Sequence, residues 1–397
     1  MAVGVNYCCT VLLILGMATI CLTQKTHLKY HLQHLTGERH PASPDTQQLL
    51  EARSYIKDQF RQYDLELVIN HFNTTVVIKG QEKTITGENI VGVARGDADD
   101  SVLVVGADYD TTPQQSPLEN NGGGVATMLE VARMYMNSTG PGRELKRRGT
   151  VLFVAFDLNT IEYAAAQPDE RYGRPGAYYF LHQWLWPFLN QSSQKFVGAI
   201  ILDSITKFNT KKMSQYLPSG FEKTFPAAHE RIASMGNRGD FLAMYTRTSR
   251  TSHHLTSVIT ASYNEGSTKA SPPRLQELPV VSGAPANSDT LSMFNHQAHF
   301  HFWTFQPSAE PLPLTAVLLT DTDIYRGSGE VCGPPCSAKE FLTPSRQLVL
   351  SHIASTLTNT LLQLQTEQGI SDGSTGVALV PTLALTSSLV ALMRLLH

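Results

Sequence analysis

The sequence has few cysteines, little charge and no repeated pattern. Of its 397 residues five are cysteine, and only 16% are Asp, Glu, Lys or Arg. Gly and Pro recur without a period, which together with the sparse charge excludes a collagen-like, coiled-coil or wholly disordered chain. Positive charge is not in excess either. Lys+Arg number 31 against 34 Asp+Glu, a formal net charge of -3, so no global field gathers phosphates and nothing marks a dedicated nucleic-acid binder. With 42% hydrophobic residues, the length supports one large domain or two ordinary ones around a substantial core.

The cysteines and the two ends point to export. An apolar run from Val11 to about Leu22, with cleavage between Cys21 and Thr23, reads as a secretory signal over residues 1–23, although it has no Lys or Arg before it. A buried first helix and an uncleaved anchor are the alternatives. Cys8, Cys9 and Cys21 fall in that leader, which leaves Cys332-Gly-Pro-Pro-Cys336 to close a small disulfide loop in an oxidising compartment. This is not the Cys-x-x-Cys of a redox centre, and no second pair completes a four-cysteine zinc site. Asn73-Thr-Thr75, Asn137-Ser-Thr139 and Asn190-Gln-Ser192 are glycosylation acceptors.

At the other end a spacer over 367–376 precedes an apolar tail over 377–397. Small residues before such a tail meet the requirement of a GPI signal, with attachment at Ser371, Asp372, Gly373 or Ser374. A single span, or an amphipathic helix packed on the domain, are the other readings of the tail. The expected location is the extracellular face of the plasma membrane, with a secreted form also open.

Between these ends, 24–44 is polar and reads as a flexible lead-in to a domain over 45–366. Asp45 caps a helix from Thr46 to about Tyr63. Leu65–Asn70 and Thr74–Lys79 alternate as two strands, and Glu88–Ala94 as another. The run Val102–Gly106 is continuously apolar, as in a strand buried on both faces. A helix over Gly122–Met136, a strand over Thr150–Phe156, a helix near Gly176–Trp186 and a strand over Val197–Leu202 follow. Residues 204–286 read as irregular insertions. Thr315–Leu319 is a late strand, and a last helix opens at Pro344. This alternation is that of a helix-covered, largely parallel α/β sheet.

In such sheets binding groups gather beyond the carboxyl ends of the strands. Those places hold Asp108, Asp110, Glu119-Asn120-Asn121, Asp157-Leu158-Asn159-Thr160, Glu162 and Asp203. Asp108, Asp110 and Asp203 suit a hard cation; equally, all these carboxylates serve as turn and helix caps. Asn121-Gly-Gly-Gly124 lacks the Lys-Ser/Thr of a phosphate loop and the spacing of a dinucleotide loop. In His296-Gln-Ala-His299-Phe-His301, His299 and His301 face the same way if the segment is a strand, although packing is the commoner use of such histidines.

Several of these blocks resemble peptidase family M28: Val104–Asp110, Ser116–Ala126, Leu129–Arg133, Phe153–Asp157, Ile200–Asp203 and Ser288–Phe294. The resemblance implies a three-layer α/β/α sandwich around a mixed, mostly parallel eight-stranded sheet. In active members two zinc ions share a bridging carboxylate. By position, Asp108 stands where the family has its first histidine ligand, and Asp110, which supports the site from behind the ligands, is kept. The bridging aspartate falls on Asn120. The general base falls on Asn159 and the adjacent ligand on Thr160, while the ligand at Asp203 is kept. The last ligand, a histidine after the late strand, has no counterpart, because none lies between His301 and His352. An amide neither bridges two dications nor accepts a proton near neutral pH.

The expectation is therefore a peptidase-like domain without catalysis or cofactor, bound to an unknown extracellular protein or peptide and held on the membrane by a lipid or single span. The alternative is an active zinc-dependent exopeptidase with a rebuilt site.

Overall fold

The computed structural model describes residues 26–40, 45–78, 81–97, 101–111, 116–139, 143, 145–158, 174–192, 194–265, 272–281, 297–327 and 336–367. The leader, the C-terminal tail with Ser371, Asp372, Gly373 and Ser374, and Asn159, Thr160, Glu162, Ser288, Asp289, His296 and Cys332 lie outside these residues.

Eight strands form one sheet: β1 (Glu66–Ile78), β2 (Gln81–Ala94), β3 (Ser101–Asp108), β4 (Thr150–Phe156), β5 (Lys195–Leu202), β6 (Phe241–Arg247), β7 (Arg274–Val280) and β8 (Ala316–Thr320). Their spatial order is β1-β2-β4-β3-β5-β8-β6-β7. The central run β4-β3-β5-β8 is parallel, as is β6-β7; β1-β2, β2-β4 and β8-β6 pair antiparallel.

The central strands are apolar on both faces because helices cover both. On one side Leu103, Val105, Ala107, Ile200, Leu202, Val317 and Leu319 pack against α1 (Leu28–Gln33), α2 (Gln47–Gln62), α3 (Gly123–Thr139), α6 (Arg250–Glu265) and α8 (Pro344–Glu367). On the other, Val102, Val104, Leu152, Val154, Ile201 and Leu318 meet α4 and α5 (Pro226–Ser234), with α7 (Ala298–Trp303). Here α4 denotes Gly176–Tyr179 continued by Phe180–Leu185 and Trp186–Ser192. The period-2 alternation along each strand thus feeds two cores, and the architecture is an α/β/α sandwich.

The structure corrects several expectations. In place of the two strands expected over Leu65–Asn70 and Thr74–Lys79 there is one long strand, β1 (Glu66–Ile78), whose partner β2 starts seven residues before Glu88. Residues 204–286 carry two sheet strands, β6 and β7, and helices that include α5 and α6; β6 is buried from Phe241 to Thr246, and α6 buries Leu255 and Ile259 on one face. The lead-in is packed: Leu28, Leu32 and Leu35 are fully buried against the core. His299 and His301 lie on helix α7, where a two-residue step turns about 200°, so they do not share a face.

Cys336 is buried and disulfide-bonded, and its expected partner Cys332 lies outside the described residues. Asn73, Asn137 and Asn190 are all exposed. Among the described residues no helix is long and apolar enough to cross a membrane.

Candidate functional site

Parallel pairing aligns the carboxyl ends of four central strands. Asp108 ends β3 opposite Phe156 of β4, so Asp157 follows beside it. Ala107 pairs with Leu202, which brings Asp203 beside Asp108. Leu202 pairs with Leu319, and the Asp203 N–H donates to the Leu319 carbonyl at 3.2 Å, so the end of β8 completes the row. Asp108, Asp110, Asp157 and Asp203 are all buried there.

The loop before α3 is pinned against this row. Asn121 is fully buried; its Nδ2 donates to the Leu202 carbonyl at 2.7 Å. Its Oδ1 accepts the N–H groups of Ser204 and Gly124, both at 3.2 Å. Asn120, half-buried, is thereby held at the end of β5, joined to Asn121 by a cis peptide bond.

Asp157 is committed to the protein's interior. Its Oδ2 accepts from Arg53 at 2.5 Å and from the Glu88 N–H at 2.8 Å. Arg53 also donates to the Tyr109 hydroxyl at 2.8 Å, which in turn donates to the Glu88 carbonyl at 2.7 Å. Asp157 is therefore the anchor that ties α2 to the sheet.

The end of β8 bears a constellation not foreseen from the sequence. Where the resemblance implies a histidine stand Thr320 and Asp321. Asp321 Oδ2 accepts the N–H groups of Thr206 and Lys207 at 2.8 and 2.6 Å, and its Oδ1 accepts that of Asp323 at 2.8 Å. Lys207 Nζ lies 2.7 Å from Asp323 Oδ1. Glu119 contacts Arg346 at 3.4 Å. Arg326, buried, donates to Gln215 and to the carbonyls of Gly239 and Phe241.

Burial dominates the electrostatics. It pushes Asp203 up to about 7, with Asp323 and Asp321 adding to it and Gln297 and Lys207 opposing. It pushes Asp321 up to about 6, against the pull of Lys207 and Arg326. Glu119 is raised by burial against Lys207 and Arg346. Burial alone would lower the Lys207 ammonium, but Asp323, Asp321 and Glu119 outweigh it and raise it.

These residues do not fit a pair of zinc ions. Asn120 offers a neutral amide where two dications need a shared carboxylate. The oxygens of Asp321 are occupied by backbone amides, and an ammonium sits among the carboxylates that would face a cation. Among the described residues no group of three or more His, Cys, Asp or Glu is arranged to hold a metal ion. His299 packs edge-on to Tyr245 and Trp303, and burial lowers His301 to about 4. His253 and His254 lie exposed on α6.

Sequence reading missed Asp321, Asp323, Lys207 and Arg326. The Asp-Thr-Asp after the late strand carries the same strand-end signal as Asp108 and Asp110; the two cations carried no spacing signal.

The sequence model of Peptidase family M28 matches residues 89–254, from the end of β2 into α6. Among curated proteins none matches. The aminopeptidase of Aneurinibacillus sp. strain AM-1 is similar in structure, at 12% identity and a TM-score of 0.51, over 83% of this chain and 92% of that one. The Fimbriiglobus ruber glutaminyl cyclase is 14% identical at a TM-score of 0.46, over 86% and 97%. At the level of the superfamily, the chain has an M28 peptidase-like fold.

Proposed function

We propose that this chain is an extracellular, membrane-anchored M28-like domain that does not catalyse and acts by binding a protein or peptide, in adhesion or scaffolding. The observation that carries this reading is Asn120. Its loop is fixed against the end of β5 through Asn121. On the family resemblance, the bridging place of the two-zinc site would then hold the amide of Asn120, on a backbone pinned through its neighbour Asn121. A neutral amide neither balances two adjacent dications nor holds a shared hydroxide between them. The amide at Asn159 supports the reading from the sequence, since a base of that type takes no proton from water near neutral pH.

The test is turnover. The zinc-supplemented full chain is assayed on an aminoacyl and peptide library beside Asp108→Ala and Asp203→Ala, each checked for folding. All three are expected to show the same background rate. Zinc-dependent hydrolysis that both substitutions abolish would establish the rebuilt-site exopeptidase instead.

A further inference from the structure

Lys207 lies five residues past the end of β5, on the segment that leaves the row of strand ends. Its backbone is fixed on both sides, by its N–H on Asp321 Oδ2 at 2.6 Å and by Arg326 Nη1 on its carbonyl at 3.2 Å. The side chain is 15% exposed and ends 2.7 Å from Asp323 Oδ1, itself on a side chain only 13% exposed. Four carboxyl groups from three separate segments act on this one ammonium or respond to it: Glu119 before α3, Asp203 after β5, and Asp321 and Asp323 after β8. Two arginines stand nearby: Arg346 reaches Glu119 from α8, and Arg326 attracts Asp321 while its hydrogen bonds go to Gln215 and backbone carbonyls, so Lys207 is the cation in direct contact with Asp323.

Gathering carboxylates in a desolvated place is unfavourable unless a cation answers them. In metal-holding proteins of any fold that cation is the ion; here it is covalently part of the chain. A divalent ion entering the same place would have to displace the ammonium from Asp323 and then bear its repulsion at close range. The two cations compete for the same oxygens.

We infer that Lys207 is a built-in counter-cation, standing where a divalent metal would otherwise be needed, so that the native site excludes such an ion and the fold is independent of it. The inference rests on the non-catalytic reading, but it concerns charge balance and not turnover.

The experiment uses the full chain, stripped with chelator and dialysed against micromolar zinc, with bound metal measured by mass spectrometry and the melting temperature taken with and without zinc. The native chain is expected to retain no zinc and to melt at the same temperature in both conditions. Lys207→Met is expected to melt lower in chelator, to take up zinc, and to regain part of the loss when zinc is added. Lys207→Arg should behave as native, since it keeps the charge. Lys207→Met combined with Asp323→Asn should recover stability without zinc, because one charge has been removed from each side.

Stoichiometric zinc on the native chain, lost on Asp203→Asn or Asp321→Asn, would overturn the inference. So would a Lys207→Met variant that folds, ignores zinc and matches the native melting temperature. If Lys207→Met alone fails to fold, the double variant and the native zinc titration still decide. Peptide hydrolysis by a chain that excludes zinc here would end the non-catalytic reading and leave Lys207 standing. Zinc uptake at Asp203 and Asp321 by an inactive chain would do the reverse.

Discussion

Arg39 does more to shape the site than any carboxylate on it. Its side chain is fully buried and donates to four carbonyls: Tyr109 at 2.6 Å, Leu35 at 2.5 Å, Gly37 at 2.9 Å and Pro117 at 2.9 Å. Its backbone N–H reaches the Thr111 hydroxyl at 2.7 Å. One guanidinium thus bridges the N-terminal segment, the residue before Asp110 and the turn that leads into Asn120. Burial lowers it to about 10, with Asp110 opposing, so it stays charged at neutral pH. Arg39→Met would leave four carbonyls without donors, and urea unfolding should show a loss of about 3–5 kcal/mol. Arg39→Lys should recover little, since three donors on a point charge cannot follow a planar fork. The exposed neighbour Glu38→Ala should stay within about 0.5 kcal/mol of native. A loss at Arg39 no larger than at Glu38 would remove its role. Such residues escape a reading of sequence alone: the 24–44 stretch is polar, and nothing in His-Leu-Gln-His-Leu-Thr-Gly-Glu-Arg39 announces that its last arginine meets Tyr109, 70 positions on. Asp108 and Asp203 were legible because a strand's end follows from its apolar run. Lys207 was not, because its meaning depends on Asp321 and Asp323 arriving from a distant strand.

Among the elements, those formed by continuous apolar runs were readable and those formed by mixed runs were not. Val102–Gly106 and Val197–Leu202 show their burial directly, whereas β7 alternates with polar residues and passes for loop; β6 is the exception, an apolar run over Phe241–Tyr245 that goes unread inside a polar stretch. The junction at Gly176 shows what sequence periodicity leaves out. There α4 begins, and the Gly176 N–H donates to the Asp157 carbonyl at 2.8 Å. A Cβ at this position would lie 2.3 Å from that same carbonyl oxygen and 2.3 Å from Asn89 Oδ1. Asn89 in turn donates to the Gly176 carbonyl and accepts the Asp157 N–H, so neither neighbour can retreat without breaking the contact between β2, β4 and α4. Gly176→Ala should therefore cost about 1–3 kcal/mol by overpacking, although alanine favours helices. A thermal melt that rises instead would mean that the helix start shifts freely and the junction is not fixed.

Across the whole molecule, two buried ionisable groupings on opposite flanks of the site loop set opposing pH dependences. On the α1 side, hydrogen bonds from His31 and Arg133 outweigh burial and hold Glu130 at about 2, while burial lowers His31. An acid held low in the fold contributes stability above its ordinary range that is lost as pH falls toward about 2, and a histidine held neutral loses stability as pH falls below about 6.5. At the strand ends the sign reverses. Asp203 stands at about 7 against an ordinary 3.8. Between these values the folded chain keeps the proton that the unfolded chain has released, so stability falls as pH rises through that window. Asp203→Asn removes the titration while keeping an amide of the same shape for Gln297. The variant should gain about 1–3 kcal/mol over the native chain near pH 8, and close to nothing near pH 4. Urea unfolding at the two pH values measures the difference. An equal change at both would mean that Asp203 ionises in the fold as it does in the open chain, and that burial at the strand ends is compensated by groups other than Lys207. The predicted asymmetry follows from a site in which Lys207 faces several carboxyl groups, so that Asp203, buried and beside Asp323 and Asp321, holds its proton.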